Sequence, residues 1–142
     1  VDDVLVSTQI TPPYSYTSAL AIGAHTVFTK AYDAAGNIGT SAEVSFTVKD
    51  AIVPTVQVTS PTNGSTVPRS TTVTIQATAS DNVGVAKVEF YVSNVLKCTD
   101  VVAPYSCAWP VPARKGVSYT ILGKAYDAAN NTATHTVTVT SK

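Results

Sequence analysis

From Val53 onward apolar and polar side chains alternate in short runs. Pro54-Thr55-Val56-Gln57-Val58-Thr59 puts Val56 and Val58 on one face, and the run from Thr72 to Ala79 does the same with Val73, Ile75, Ala77 and Ala79. The next run, Lys87 to Val92, turns Val88, Phe90 and Val92 inward and shows Lys87, Glu89 and Tyr91 to water. Two runs around Cys98 and Cys107 follow. Ser118 to Tyr126 then aligns Tyr119, Ile121, Gly123 and Ala125, and Thr134 to Thr140 aligns Val137 and Val139. A period of two is the mark of a strand with one buried face. The runs are separated by turn-forming stretches such as Ser60-Pro61-Thr62-Asn63-Gly64-Ser65 and Asp81-Asn82-Val83-Gly84, in which Asn-Gly tolerates positive φ. Short strands, regular turn signals and no helical period predict an all-β, immunoglobulin-like β-sandwich over residues 54–142.

The chain carries one phrase twice. Lys30-Ala31-Tyr32-Asp33-Ala34-Ala35-Gly36-Asn37 returns as Lys124-Ala125-Tyr126-Asp127-Ala128-Ala129-Asn130-Asn131. Pro13-Tyr14-Ser15 answers Pro104-Tyr105-Ser106, and Val44 to Val48 answers the run from Val137. A repeat at about 90 residues means tandem copies of one small domain. Residues 1–49 correspond to the C-terminal half of a copy, residues 50–53 to a linker, and residues 54–142 to a complete one. The half copy predicts strands around Val4–Thr8, Tyr14–Ser18, Thr26–Tyr32 and Glu43–Val48. The strands that would cover Val27, Ala31, Val44, Phe46 and Val48 are missing from it. An apolar face and open strand edges cannot stay bare in water. The expectation is that covering strands come from outside these residues or from a neighbouring chain, the second case making a filament subunit; failing both, the half copy is a partly disordered fragment.

Composition narrows the function. Nine Lys and Arg balance nine Asp and Glu, and charged residues make only 13% of the chain. With no basic run to neutralise phosphates, nucleic acid is not an expected partner. No apolar stretch reaches the roughly 18 residues of a spanning helix. The chain has no methionine, so it is expected to be a processed piece of a longer protein.

Cys98 and Cys107 suit a disulfide. A hairpin turning at Val102-Ala103 would set them opposite each other, within disulfide range. Such a bond implies an oxidising compartment. Two free thiols are the alternative; a metal site lacks nearby histidines. The first copy has Ser7 and Tyr16 at the matching places. Neither His25 nor His135 is paired with a nucleophile or carboxylate by any motif, so no catalytic triad or metallohydrolase is expected.

In a sandwich of this kind the loop after the second strand and the loop before the last strand lie at one end, where the chain also enters. That gathers Asp50, Asp81, Asn82, Asp127 and Asn131, an oxygen-rich set suited to Ca²⁺. The competing reading is that Asp81 and Asp127 accept backbone N–H bonds and fix their own loops. Tyr91 and Tyr126 are expected to face outward and offer a small stacking surface for a sugar ring.

The run from Ala79 to Val92, Pro104-Tyr105-Ser106 with Trp109, and Lys124-Ala125-Tyr126-Asp127 together resemble a bacterial Ig-like repeat. The resemblance covers nearly the whole chain, and it implies that Tyr105 and Trp109 lie in the core and that Tyr119 is structural. It departs at Asn130, where the family usually has Gly, as at Gly36, and in the cysteine pair. Such modules occur in surface adhesins and as accessory parts of secreted hydrolases. The resemblance implies a non-catalytic spacer or adhesive stalk, secreted or on the cell surface. It would be flanked by neighbouring Ig-like domains. The alternative is a module that binds polysaccharide.

Overall fold

The computed structural model describes residues 1–142, which form twelve strands and no helix. They divide into two compact units, Val1–Asp50 and Ala51–Lys142. The first holds β1 (Gly23–Val27), β2 (Lys30–Tyr32), β3 (Ile38–Thr40) and β4 (Val44–Val48). The second holds β5 (Thr55–Ser60), β6 (Thr66–Val67), β7 (Thr72–Ser80), β8 (Val85–Val92), β9 (Val95–Asp100), β10 (Tyr105–Pro110), β11 (Ser118–Asp127) and β12 (Thr132–Ser141).

The second unit is a two-sheet sandwich. One sheet runs β10-β7-β5 and the other β6-β12-β11-β8-β9. Every pairing is antiparallel except the short β6, which lies parallel to β12. The alternation read from the sequence fills the space between the sheets. Ile75, Val88, Phe90, Ile121 and Ala125 are wholly buried, with Val58, Trp109, Val137 and Val139 around them. Fully burying a side chain of this size stabilises by roughly 1.5–3 kcal/mol. Tyr105 is buried as expected, and Tyr119 meets Trp109 edge-on at 5.1 Å. Gly123 has a packing role: a Cβ there would stand 3.0 Å from Val58 Cγ2, so the missing side chain lets β5 close over β11.

The disulfide Cys98–Cys107 is present, with Cα atoms 5.7 Å apart, but not for the expected reason. β9 pairs with β8 and β10 with β7, in different sheets, so there is no hairpin between the cysteines. Asp100 explains the departure. Its Oδ1 accepts from Val102 N at 3.1 Å and its Oδ2 from Ser106 N at 2.9 Å. These bonds stabilise a loop that carries the chain from one sheet to the other, and the disulfide then staples the two sheets.

In the first unit β1 pairs with β4 and β2 with β3. The expected strand Thr26–Tyr32 is therefore split, β1 starts earlier, and β3 is additional. Val4–Thr8 and Tyr14–Ser18 are not strands. In the second unit their counterparts, β9 and β10, pair only with β8 and β7, and residues 1–49 hold no copy of either. Without a ladder partner a segment cannot satisfy its backbone as a strand. The break between the two small sheets has a simple cause. The register Lys30↔Thr40 matches Lys124↔Thr134, and Val27↔Val44 matches Ile121↔Val137. Between them Ser41-Ala42-Glu43 replaces His135-Thr136, one residue more, and Ser41 bonds Thr29 through both its N–H and its hydroxyl.

Candidate functional site

The densest polar cluster lies on the outer face of the β8–β11 pair. Lys87, Glu89 and Tyr91 alternate along β8, which places all three on one face. Across the ladder Glu89 is the partner of Lys124, and Tyr126 is the partner of Lys87. Glu89 was expected in water, yet it is only 8% exposed. Its Oε1 takes Lys87 Nζ at 2.5 Å, and its Oε2 accepts from the hydroxyls of Tyr91 at 2.7 Å and Tyr126 at 2.8 Å. Burial pushes the Glu89 carboxyl up, but the ammonium and the two hydroxyls together outweigh it and hold the group at about 2. The same hydroxyl bond, with burial, pushes Tyr91 up to about 12. Lys87 and Lys124 stand 4.3 and 4.7 Å from the Tyr126 ring centre. Tyr91 and Tyr126, the expected sugar platform, are therefore half-buried and tied to one carboxylate. A sugar stacking on Tyr126 would compete with ammonium groups already against the ring.

The acidic loops are the second cluster. Asp127 closes β11 and is buried; its Oδ1 accepts from Asn131 N and its Oδ2 from Asn131 Nδ2, both at 2.7 Å. Asn131 also donates to Ile52 O at 3.2 Å. Asp81 follows β7; its Oδ2 accepts from Val83 N at 2.9 Å and Gly84 N at 3.1 Å, and these bonds hold its carboxyl below the usual range. Its Oδ1 is buried without a hydrogen-bond partner. Carboxylate oxygens of Asp81 and Asp127 lie within 4.8 Å of each other. Asn82 is exposed on the same loop as Asp81, and Asp50 is the half-buried last residue of the first unit.

The repeated phrase explains this loop geometry. Asn130 takes φ 69°, the left-handed conformation that Gly36 takes at φ 86° in the first unit. Asp33 receives Asn37 N at 2.8 Å and Asn37 Nδ2 at 2.7 Å, as Asp127 receives Asn131. Asp33 and Asp127 thus fix the same turn.

The histidines are engaged structurally. Val58 N donates to Nδ1 of His135 at 3.1 Å, joining β12 to the facing sheet. His25 Nδ1 lies 2.7 Å from Asp2 Oδ2 and its Nε2 2.8 Å from Ala21 O. Acceptors at both ring nitrogens, the Asp2 carboxylate first, raise the His25 pKa, and the same contact lowers that of Asp2. One surface depression is lined by Thr55, Gln57, Thr78 and Ser80 in the second unit and another by Tyr16, Leu20, Val27 and Phe46 in the first; neither holds a histidine, carboxylate or cysteine.

A two-sheet sandwich with this pairing order is immunoglobulin-like, and the family model for a bacterial Ig domain matches residues 54–139. The chain belongs to the bacterial Ig domain family. The likeness in structure extends further than the matched residues. The fibronectin(III)-like modules of Clostridium thermocellum CbhA align with a TM-score of 0.62 and 26% identity over 89% of this chain. The chain spans 66% of that structure's length. No curated protein sequence matches it. Bacterial Ig domains are generally non-catalytic modules of larger proteins. The Glu89 hub was missed from sequence. Its one visible signal was the spacing that puts Lys87, Glu89 and Tyr91 on one face; the closing member, Tyr126, comes from a strand far away in sequence.

Proposed function

We propose that the chain is a structural spacer of a larger secreted or surface protein. One observation carries this reading: both units build the same kind of hairpin, with matching strand partners on each side of the one extra residue at Ser41-Ala42-Glu43, and the same Asp–Asn turn. Repetition of a module with no cleft that gathers reactive groups suits a part that sets distance. Family membership and the disulfide support an extracellular place, since such bonds persist in oxidising compartments. The linker is short, and Pro54, which is buried, limits its backbone freedom. The test is retention on a panel of soluble and insoluble polysaccharides. A spacer passes through unretained. Retention that disappears in Tyr91→Ala and Tyr126→Ala proteins would replace this reading with a carbohydrate-binding one.

A calcium-dependent variant of the spacer is favoured by the Asp81–Asp127 pair and the buried, unbonded Asp81 Oδ1. An ion bound only to the folded state raises its stability with concentration. Melting in Ca²⁺ against melting in chelator tests this. Superimposed transitions would leave these carboxylates as loop fasteners alone.

A further inference from the structure

The even charge balance of the chain hides a division. Residues 1–50 carry two Lys against five Asp and Glu, and residues 51–142 carry seven Lys and Arg against four Asp and Glu. Within the second unit the two signs also lie apart. Asp81 follows β7 and Asp127 closes β11, at the end where β5 begins opposite Ser80. Glu89 sits in the β8–β11 face, and Asp100 holds the loop after β9. The opposite end has no acidic side chain. It is built from residues 67–71, which lead into β7, residues 111–117, which lead into β11, and the close of β12. The ladders bring these segments together: Pro110 stands opposite Thr72, Ser118 opposite Thr140, and Val67 beside Ser141. Arg69, Arg114, Lys115 and Lys142 are all exposed there, and none is in an ion pair.

The backbone beneath these cations is fixed. Ser141 is 2% exposed; its hydroxyl donates to Arg114 O at 2.6 Å and accepts from Val117 N at 3.0 Å. Gly116, at φ 73°, donates its N–H to Ser141 O at 2.8 Å. Ser70 N donates to Val111 O at 3.0 Å, and Val111 N donates to Thr71 O at 2.8 Å. Lys142 N donates to Val67 O at 3.0 Å. A partner therefore has to order side chains only, not loops, which lowers the cost of binding. Like charges held at one end repel each other, and an anion relieves that repulsion. Two of the cations are guanidinium groups, whose planar fork gives two parallel hydrogen bonds to an oxyanion. No large apolar side chain is exposed in these segments. The end thus lacks the apolar core of a protein–protein contact, and it lacks an aromatic ring on which a nucleobase could stack.

We propose that this end of the second unit binds an anionic polysaccharide, with Arg114 and Lys115 as the main contacts and Arg69 beside them. The recognised group is the oxyanion, a carboxylate or a sulfate carried on successive sugars. The inference rests on the extracellular placement proposed above. It does not rest on the spacer role, and an end that binds nothing would leave that role standing.

The test titrates the 142-residue chain with polygalacturonate, dextran sulfate and neutral dextran. At low salt at least one of the two polyanions should bind at least about tenfold more tightly than dextran, and its affinity should fall as salt rises, because a polyanion releases counterions when cations dock. The polyanion that binds tells carboxylate from sulfate. Arg114→Gln with Lys115→Gln should weaken binding by at least about tenfold at an unchanged melting midpoint. Lys30→Gln with Lys97→Gln removes the same charge elsewhere and should change binding by less than about twofold, since charges beyond about 10 Å are screened at moderate salt. Four results overturn the proposal. Neither polyanion binds, or both pairs of substitutions weaken binding alike, which would leave net charge as the cause. Double-stranded DNA binds more tightly than either polysaccharide. Binding is lost in Tyr91→Ala and Tyr126→Ala instead, which returns the contact to the stacking face. The chain associates with itself at low salt until Arg114 and Lys115 are replaced, which would seat the acidic first unit of another copy on this end.

Discussion

The two units hold the same hairpin in opposite circumstances. In the second unit β11 and β12 lie in the interior of the five-stranded sheet, with β8 on one flank and β6 on the other, and the β10-β7-β5 sheet packs over them. Ile121 and Ala125 are wholly buried, and Val137 and Val139 are 3% and 1% exposed. In the first unit the matching Val44 and Phe46 are 57% and 38% exposed. Yet the Asp–Asn clasp and the left-handed turn residue are the same in both, and the strand partners match on each side of the extra residue at Ser41-Ala42-Glu43. Register and turn are local properties, set by residues a few positions apart. Burial is not local; it needs strands that only the second unit contains.

The most forceful way to break the comparison is to remove matched core residues. Ile121→Ala should destabilise the second unit by about 2–5 kcal/mol, the usual cost of emptying a packed site. Val27→Ala, at the same place in the first unit, should cost under about 1 kcal/mol, because little packing is lost there. Denaturant unfolding of each variant, followed by Trp109 fluorescence for the second unit and by amide exchange for the first, measures both. A large loss from Val27→Ala would mean that the first hairpin is better covered than its exposure indicates.

Next in size is the staple. The Cys98–Cys107 bond closes a short loop, and the chain-entropy model gives such a loop roughly 2–3 kcal/mol. Cys98→Ser with Cys107→Ser should lower the midpoint of the second unit accordingly. The first unit, with Ser7 and Tyr16 at the matching positions, should be indifferent to reductant. Melting with and without reductant, beside intact-mass analysis, decides it.

Smaller again is the turn. Gly36→Ala forces a Cβ into the left-handed region, which costs roughly 1–2 kcal/mol, and Asn130→Ala loses the local bonding that lets Asn tolerate that region, a smaller cost. Asn130→Gly should change stability by no more than a few tenths of a kcal/mol, since Gly takes that region readily. If Asn130→Ala were neutral, the shared turn would not be what holds the two hairpins alike.

Much of this was legible in the chain. The alternation at Val73–Ala79, Val88–Val92 and Ile121–Ala125 identified the buried faces, because a two-residue period has one physical meaning when one side must be dry. The shared turn was legible for the same local reason. What the sequence hid was set by partners. Cys98 and Cys107 were paired correctly but through the wrong geometry, since the bonds Asp100 makes to Val102 and Ser106 carry the chain to the other sheet. Val4–Thr8 and Tyr14–Ser18 have strand-like patterns but no ladder to join. Glu89 looked like a surface residue until Tyr126, from another strand, closed over it. Of the calcium set, Asp81 and Asp127 do come together, although most of their oxygens are committed to loop bonds.

The smallest effects are those of pH, and they should differ between the units. Glu89 stands at about 2 in the folded state against an ordinary 4.5. A lowered carboxyl stabilises the fold above its unfolded value, and that contribution drains away as pH falls from 4.5 toward about 2. Tyr91 is raised from 10.0 to about 12, so its bond to Glu89 is lost as pH climbs between those values. The Glu89 network therefore contributes fully from about pH 4.5 to 10, and Glu89→Gln should flatten the acid limb of the second unit. The first unit relies on Asp2 and His25 instead. Asp2 is lowered from 3.8, so its share is present above that pH and lost below it as the carboxyl protonates. His25 is raised from 6.5, so its share is complete below that pH and lost as pH rises through the raised value. The pair thus works in a narrower window, between about 3.8 and 6.5, and its alkaline decline begins well below the one that Tyr91 gives the second unit above about pH 10. Asp2 is exposed to solvent, so salt should weaken the effect. The amide of Thr26, which donates to Asp2 Oδ1 at 2.8 Å, is the local reporter. Its exchange should quicken above the His25 transition by more than base catalysis alone gives, and Asp2→Asn should abolish the excess. An excess that survives Asp2→Asn would show that the turn is held by its backbone bond to Thr26 rather than by the charge pair.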